Sequence, residues 1–267
     1  MQITVLGSGT LLPSATRSSS AYHVDVAGAS VLLDCGAGTL HGMARHDVAW
    51  SAITHLAVTH FHPDHVGDLT AFLFAVRNGM ERTRTDPLTL LGPPGFETFL
   101  ERLAAAMGAW VLDPGYPLHV REISQATPFE DRRFGLRIEA CSTPHTQESV
   151  AYRLTEGTES LGYTGDTGPS KRVASFLEGC GLLLSECAWP DESPGDGHLT
   201  PRSVSKLARR VRPSLLVLTH VYPPMTPSEA ERRVREMYEG RTRAAEDGMR
   251  IMSGAAGWVV DPSESAV

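Results

Sequence analysis

The stretch at residues 56–69, LAVTHFHPDHVGDL, limits what this chain can become more than any other. Residues 56–59 form a short apolar run, the pattern of a buried strand. From residue 66 to about residue 77, apolar residues recur with a helical period. His60, His62, Asp64 and His65 therefore sit on a strand-to-helix loop. His60 and His62 are two residues apart, so an extended backbone turns both imidazoles to one side. Asp64 and His65 fall where the chain turns into the helix. Imidazole and carboxylate together suit divalent transition metals, zinc above all. The bland alternative is a surface loop that happens to be rich in histidine. Three histidines and an aspartate within six residues, between two apolar elements, weigh against it.

The elements around this stretch set its frame. Strands are expected at 1–6, 21–26, 30–34, 88–91, 118–123, 136–140, 149–154, 160–163, 181–185, 215–218 and 258–260. Helices are expected at 39–46, 93–107, 170–177, 201–211 and 227–239, the last two opened by the N-caps Thr200 and Thr226. Residues 82–88 and 189–199 read as loops, and the C-terminal end as frayed. The order is strand-rich then helical, twice over. That order predicts an α/β four-layer αββα sandwich, two mixed sheets flanked by helices, in one domain spanning 1–267. A chain of 267 residues buries enough core to need no staples. The four cysteines, Cys35, Cys141, Cys180 and Cys187, are far apart and form no C-x-x-C pair, as expected of reduced thiols. No apolar run has the length of a bilayer crossing, and the opening MQITVLGSGT lacks a basic leader, so a cytoplasmic protein with no membrane partner is expected.

Three more polar residues share one context, just past the C-terminal end of an apolar strand. They are His145 in STPHTQES, Asp166 in YTGDT and His220 in VLTHVYPP. Strand ends in a sandwich converge on one edge, so these residues can meet the first cluster. The seven ligands divide into two sites. His60, His62 and His145 are assigned to one divalent ion, and Asp64, His65 and His220 to a second, with the Asp166 carboxylate between them. Zinc is the first expectation; Mn²⁺ and Fe²⁺ suit the same donors. Asp34 is expected to accept the outer N–H of a metal-facing imidazole. His23, His41, His46, His55 and His119 carry no such signature.

The H-x-H-x-D-H signature, followed by a lone His, a Gly-Asp and a final His, resembles the metallo-β-lactamase superfamily over the whole chain. Aspartate at position 166, rather than cysteine, is similar to its phosphodiesterase, glyoxalase II and lactonase branches. A finer resemblance is to ribonuclease Z, through GSGTLLPS, LLDCGAG, TGDT, and the pair LLLSECAW and GHLT. It implies that Glu186 and His198 form a proton-donating pair, while Asp64 holds the attacking water or takes its proton. Ribonuclease Z carries a long arm that grips tRNA between the lone His and the bridging Asp. Here only 20 residues separate His145 from Asp166, too few for the arm. The resemblance also implies a homodimer, with the helix after His65 as a candidate interface.

The function expected is hydrolysis of a phosphodiester, at RNA 3′ ends or in small or cyclic nucleotides, by a water shared between two ions. The alternative on the same scaffold is hydrolysis of a carbon ester, lactone, thioester or sulfate. A net charge of −7 and a pI near 5.9 exclude an extended basic surface for nucleic acid. The basic residues are nearly all arginine, Lys171 and Lys206 being the only lysines.

Overall fold

The computed structural model describes residues 1–79, 83–254 and 257–261. The start of the expected 82–88 loop and the expected frayed C-terminal end lie outside the described residues. The chain opens with β1 (Gln2–Gly7), β2 (Ala21–Val26), β3 (Ala29–Leu33), α1 (Thr39–Arg45) and β4 (His55–Ala57). There follow α2 (Pro63–Val66), α3 (Leu69–Asn78), β5 (Leu88–Gly92), α4 (Phe96–Met107), β6 (Leu118–Glu122) and β7 (Phe129–Asp131). Then come β8 (Leu136–Ser142), β9 (Val150–Glu156), β10 (Glu159–Tyr163), α5 (Lys171–Phe176) and β11 (Leu182–Glu186). The last elements are α6 (Pro201–Val211), β12 (Leu215–Thr219), α7 (Pro227–Arg235), β13 (Thr242–Ala244), β14 (Arg250–Gly254) and β15 (Gly257–Val260).

Among the described residues the strands form two mixed sheets, ordered β15-β14-β1-β2-β3-β4-β5-β6 and β13-β12-β11-β10-β9-β8-β7. Their facing surfaces supply the central core, where Ile3, Val24, Leu33, Leu154, Leu182 and Trp258 are almost wholly buried. Each aliphatic side chain buried there contributes about 1.5–3 kcal/mol. Residues of α1, α3 and α4 pack the outer face of the first sheet, and residues of α5, α6 and α7 that of the second. This is the expected αββα sandwich.

The topology gathers strand ends. β3, β4 and β5 run parallel to one another, as do β10, β11 and β12. β8 is antiparallel to β9, and β9 to β10, so β8 runs the same way as β10. The C-terminal ends of β3, β4, β8, β10, β11 and β12 thus open on one edge, the place where α/β sheets bind ligands.

The structure differs from expectation at three places. The helix expected from residue 66 is two helices. The Asp68 amide donates to the Cys35 carbonyl (2.9 Å) instead of continuing the helical ladder, and its carboxylate accepts from the amides of Gly38 and Leu40. A tertiary contact overrides the local period. Asp64 and His65 consequently lie inside the short α2. The third difference is three strands without a strong sequence signal: β7, β13 and β14. They are short or polar, and their pairing with β8, β12 and β1 defines them.

Candidate metal centre

Two tight backbone turns bring the loops together. Asp34 follows β3 with φ +57° and His220 follows β12 with φ +56°, left-handed conformations that Asp and His tolerate better than most residues. Gly36 lies so close to α2 that a Cβ there would meet the Asp64 carbonyl oxygen at 2.1 Å. Gly165, at φ +53°, packs on the Thr59 side chain, which a Cβ would approach to 2.9 Å. Only glycine allows either approach without displacing Asp64 or Asp166.

Donor atoms of His60, His62, His145 and Asp166 lie within 4.8 Å of one another, and so do those of Asp64, His65 and His220. The Asp166 carboxylate sits between the groups, with Oδ2 3.7 Å from His60 Nε2 and 3.6 Å from both His145 Nε2 and His220 Nε2, and Oδ1 3.4 Å from His65 Nε2. His220 Nε2 is also 3.1 Å from Asp64 Oδ2. All seven expected residues are therefore brought together at the strand-end edge. His198 joins them, its donor nitrogen grouped with those of Asp166 and His220.

The outer hydrogen bonds fix which nitrogen faces inward. Asp34 Oδ2 accepts from His65 Nδ1 (2.8 Å), Thr59 Oγ1 (2.9 Å) and Tyr163 OH (2.7 Å), and Oδ1 accepts from the Thr59 amide (2.7 Å). The Thr59 hydroxyl proton is used on Asp34, so its oxygen accepts from His60 Nδ1 (3.0 Å). The Gly197 carbonyl accepts from His145 Nδ1 (3.0 Å). In the neutral rings the Nε2 lone pairs of His60, His65 and His145 therefore all point at Asp166. Three acceptors aimed at a fourth acceptor repel one another unless a cation lies between them. His65 Nε2 is buried without a hydrogen-bond partner among the described residues. The residues fit a divalent metal.

The proton affinities express the same demand. Burial alone would lower the His65 pKa, but Asp166 and Asp34 outweigh it and hold it well above 6.5. Burial would raise that of Asp166, yet His220 and His65 hold it well below the usual carboxylate range. His60, buried beside His65, is pushed well below 6.5. The carboxylates draw positive charge into the pocket, as a proton on His65 or as a metal ion.

Glu186 ends β11. Its Oε1 accepts from His198 Nδ1 (3.0 Å) and the Thr167 amide (2.7 Å), and its Oε2 from the amides of Leu199 (3.0 Å) and Ala188 (3.3 Å). Burial pushes the Glu186 pKa up, but four donors and no acceptor around it suit only the carboxylate. Burial lowers the His198 pKa, and the bond and charge of Glu186 more than reverse that, so it is raised above 6.5.

The sequence gives no signal for the neighbours. Trp189 and Tyr222 stack at 5.0 Å and 4° beside the cluster, with Tyr222 5.3 Å from the His220 ring. Burial and the Asp64 and Asp166 carboxylates push the Tyr222 pKa up to about 12. Thr59, Tyr163 and the Gly197 carbonyl also position the imidazoles, through contacts that no local pattern marks. Asp34 stands where the sequence placed it. Between His145 and Asp166 the chain forms only the β9–β10 hairpin, with no protruding arm.

Residues 29–221 match the family model of the beta-lactamase superfamily domain, and the chain belongs to that superfamily, as a metal-dependent hydrolase with the metallo-β-lactamase fold. Within it the chain is ribonuclease Z-like. It is 27% identical to ribonuclease Z of Haloferax volcanii, over 94% of each chain. The metallo-β-lactamase fold protein YhfI of Bacillus subtilis superposes with a TM-score of 0.80 at 21% identity, covering 93% of this chain and 98% of the other. Human short-form tRNase Z superposes with a TM-score of 0.74 at 23% identity, covering 94% and 99%. No helix among the described residues is long and apolar enough to cross a membrane.

Proposed function

We propose that this protein is a dinuclear phosphodiesterase, acting on RNA 3′ ends or on small or cyclic nucleotide phosphodiesters. His60, His62 and His145 would hold one divalent ion, Asp64, His65 and His220 the other, and Asp166 both; zinc is the first choice. Ions bound there would activate a water and neutralise charge on the non-bridging oxygens of the phosphate. The Asp64 carboxylate would hold the attacking water or take its proton. His198 gives the proton at Nε2 to the leaving oxygen, and Glu186 fixes the ring by accepting from Nδ1. An alkoxide leaving group is a strong base and needs that proton.

The Glu186–His198 contact at 3.0 Å carries this reading, because it adds a positioned acid to a metal site. The similarity to ribonuclease Z along most of the chain supports it. The test is hydrolysis of bis-p-nitrophenyl phosphate with Zn²⁺ or Mn²⁺, beside a panel of carbon esters, lactones, thioesters and sulfates. Turnover of the diester is expected, and turnover confined to the panel overturns the proposal. Pre-tRNA compared with 2′,3′-cyclic nucleotides then separates the two substrate classes. The partner proposed for α3 is a second copy of this chain: Phe74 is 49% exposed there and packs edge-on to Trp110 at 5.0 Å. A dimeric mass in solution is expected, and a monomeric one overturns it.

A further inference from the structure

Both lysines of this acidic chain line the same cavity. It measures about 720 Å³ and lies between α5 and α6. Val173, Leu199 and Leu207 form its apolar wall, Lys171, Lys206 and Arg210 bring the charge, and no carboxylate side chain is among its lining residues. In a chain of net charge −7, three cations around one cavity without an acid is a marked local reversal. Arg210 is already paired with Glu178 at 2.8 Å. Lys171 and Lys206 make no ion pair or hydrogen bond among the described residues. Lys206 and Arg210 are one helical turn apart, so their side chains leave α6 on one face.

The near end of the cavity is built from the catalytic edge. Thr167 follows Asp166, and Leu199 follows His198. The amides of both Thr167 and Leu199 donate to Glu186, the carboxylate that also holds the His198 ring. Consecutive Cα atoms are about 3.8 Å apart, so the cavity begins within about one nucleotide length of the proton donor.

Resting on the phosphodiesterase reading, we propose that the α5–α6 cavity is a subsite for the strand on the leaving-oxygen side of the scissile bond. Lys171 and Lys206 contact its phosphates at the rim of the cavity, whose Val173, Leu199 and Leu207 floor is buried in the core. The substrate class is then a single-stranded oligonucleotide, since a small cyclic diester has no second phosphate to place there. Lysine presents a compact, freely turning charge, suited to a flexible phosphate chain.

The test compares the wild-type metal-loaded protein with a Lys171→Gln/Lys206→Gln variant on two substrates, bis-p-nitrophenyl phosphate and a short single-stranded oligoribonucleotide. Both lysines are exposed, so the variant is expected to keep its unfolding temperature and its turnover of the small diester. KM for the oligoribonucleotide should rise about tenfold. The slope of log(kcat/KM) against log salt should fall by about 1.4, at roughly 0.7 per single-strand phosphate contact. A Lys171→Arg/Lys206→Arg variant should restore both values. An unchanged KM and salt slope, with the oligoribonucleotide still cleaved, overturns the subsite and leaves the phosphodiesterase reading intact. If neither diester is cleaved, that reading has failed and the subsite with it. Inorganic phosphate is the third arm. If it alters bis-p-nitrophenyl phosphate turnover in the wild type and not in the double glutamine variant, while KM for the oligoribonucleotide is the same in both, the cavity takes a free anion only, and the subsite is overturned.

Discussion

The two groups of metal-facing side chains are held in different ways. Asp64, His65 and His220 are buried, and His65 is fixed by Asp34, itself the acceptor for Thr59 and Tyr163. In the other group His60 is buried and held through Thr59, but His62 is exposed and His145 half-buried, and the outer bond of His145 goes to the Gly197 carbonyl on the 189–199 loop. One half is preorganised from the core. The other is completed from a surface loop, on the exposed side of the site. The buried group thus has the denser set of outer hydrogen bonds.

The largest effect is expected where the halves join. Asp166→Ala removes the carboxylate that both groups share, so hydrolysis should fall to background and metal content should drop in both; two ions retained by mass spectrometry would break the comparison. His198→Ala should lower kcat by on the order of 10²–10⁴-fold while metal content stays unchanged, if His198 is the proposed proton donor and not a ligand. Loss of metal together with activity would move His198 into the ligand set. Asp34→Ala should weaken metal at the buried group by roughly 10–100-fold. It should also lower the unfolding temperature, since each buried donor left unpaired costs about 1–3 kcal/mol. His62→Ala should spare the buried group, leaving one ion bound in a metal titration. Equal losses for Asp34→Ala and His62→Ala would erase the distinction between the halves.

The smallest expected effect is on pH dependence. Glu186 raises the His198 pKa above 6.5, so the acid form persists to higher pH. The alkaline limb of kcat is lost as pH rises through that raised value. Glu186→Gln removes the charge, and the limb should move to lower pH. A limb that stays in place would assign the titration to another group.

Much of this site was legible before folding. Metal donors are few in kind, and His60, His62, Asp64 and His65 stand together in the chain. His145, Asp166 and His220 each follow an apolar run, and a run that reads as a strand also tells where it ends. Asp34 was legible for the same reason. What escaped notice has no local mark. The break at Asp68 comes from a bond to Cys35, and β7, β13 and β14 exist through their partners. Trp189 and Tyr222 are ordinary aromatic residues until the fold stacks them.

The sequence by itself determined the donor set, the order of the ligands and the layered sandwich, because metal chemistry and hydrophobic period act over a few residues. The tertiary structure decided which nitrogen of each imidazole faces inward, since that depends on acceptors such as Asp34 and the Gly197 carbonyl, many residues away. It also decided that the two lysines, 35 positions apart (171 to 206), line one cavity together with Leu199, the chain neighbour of His198. Charge and hydrogen bonding act through space, and only the folded chain sets those distances.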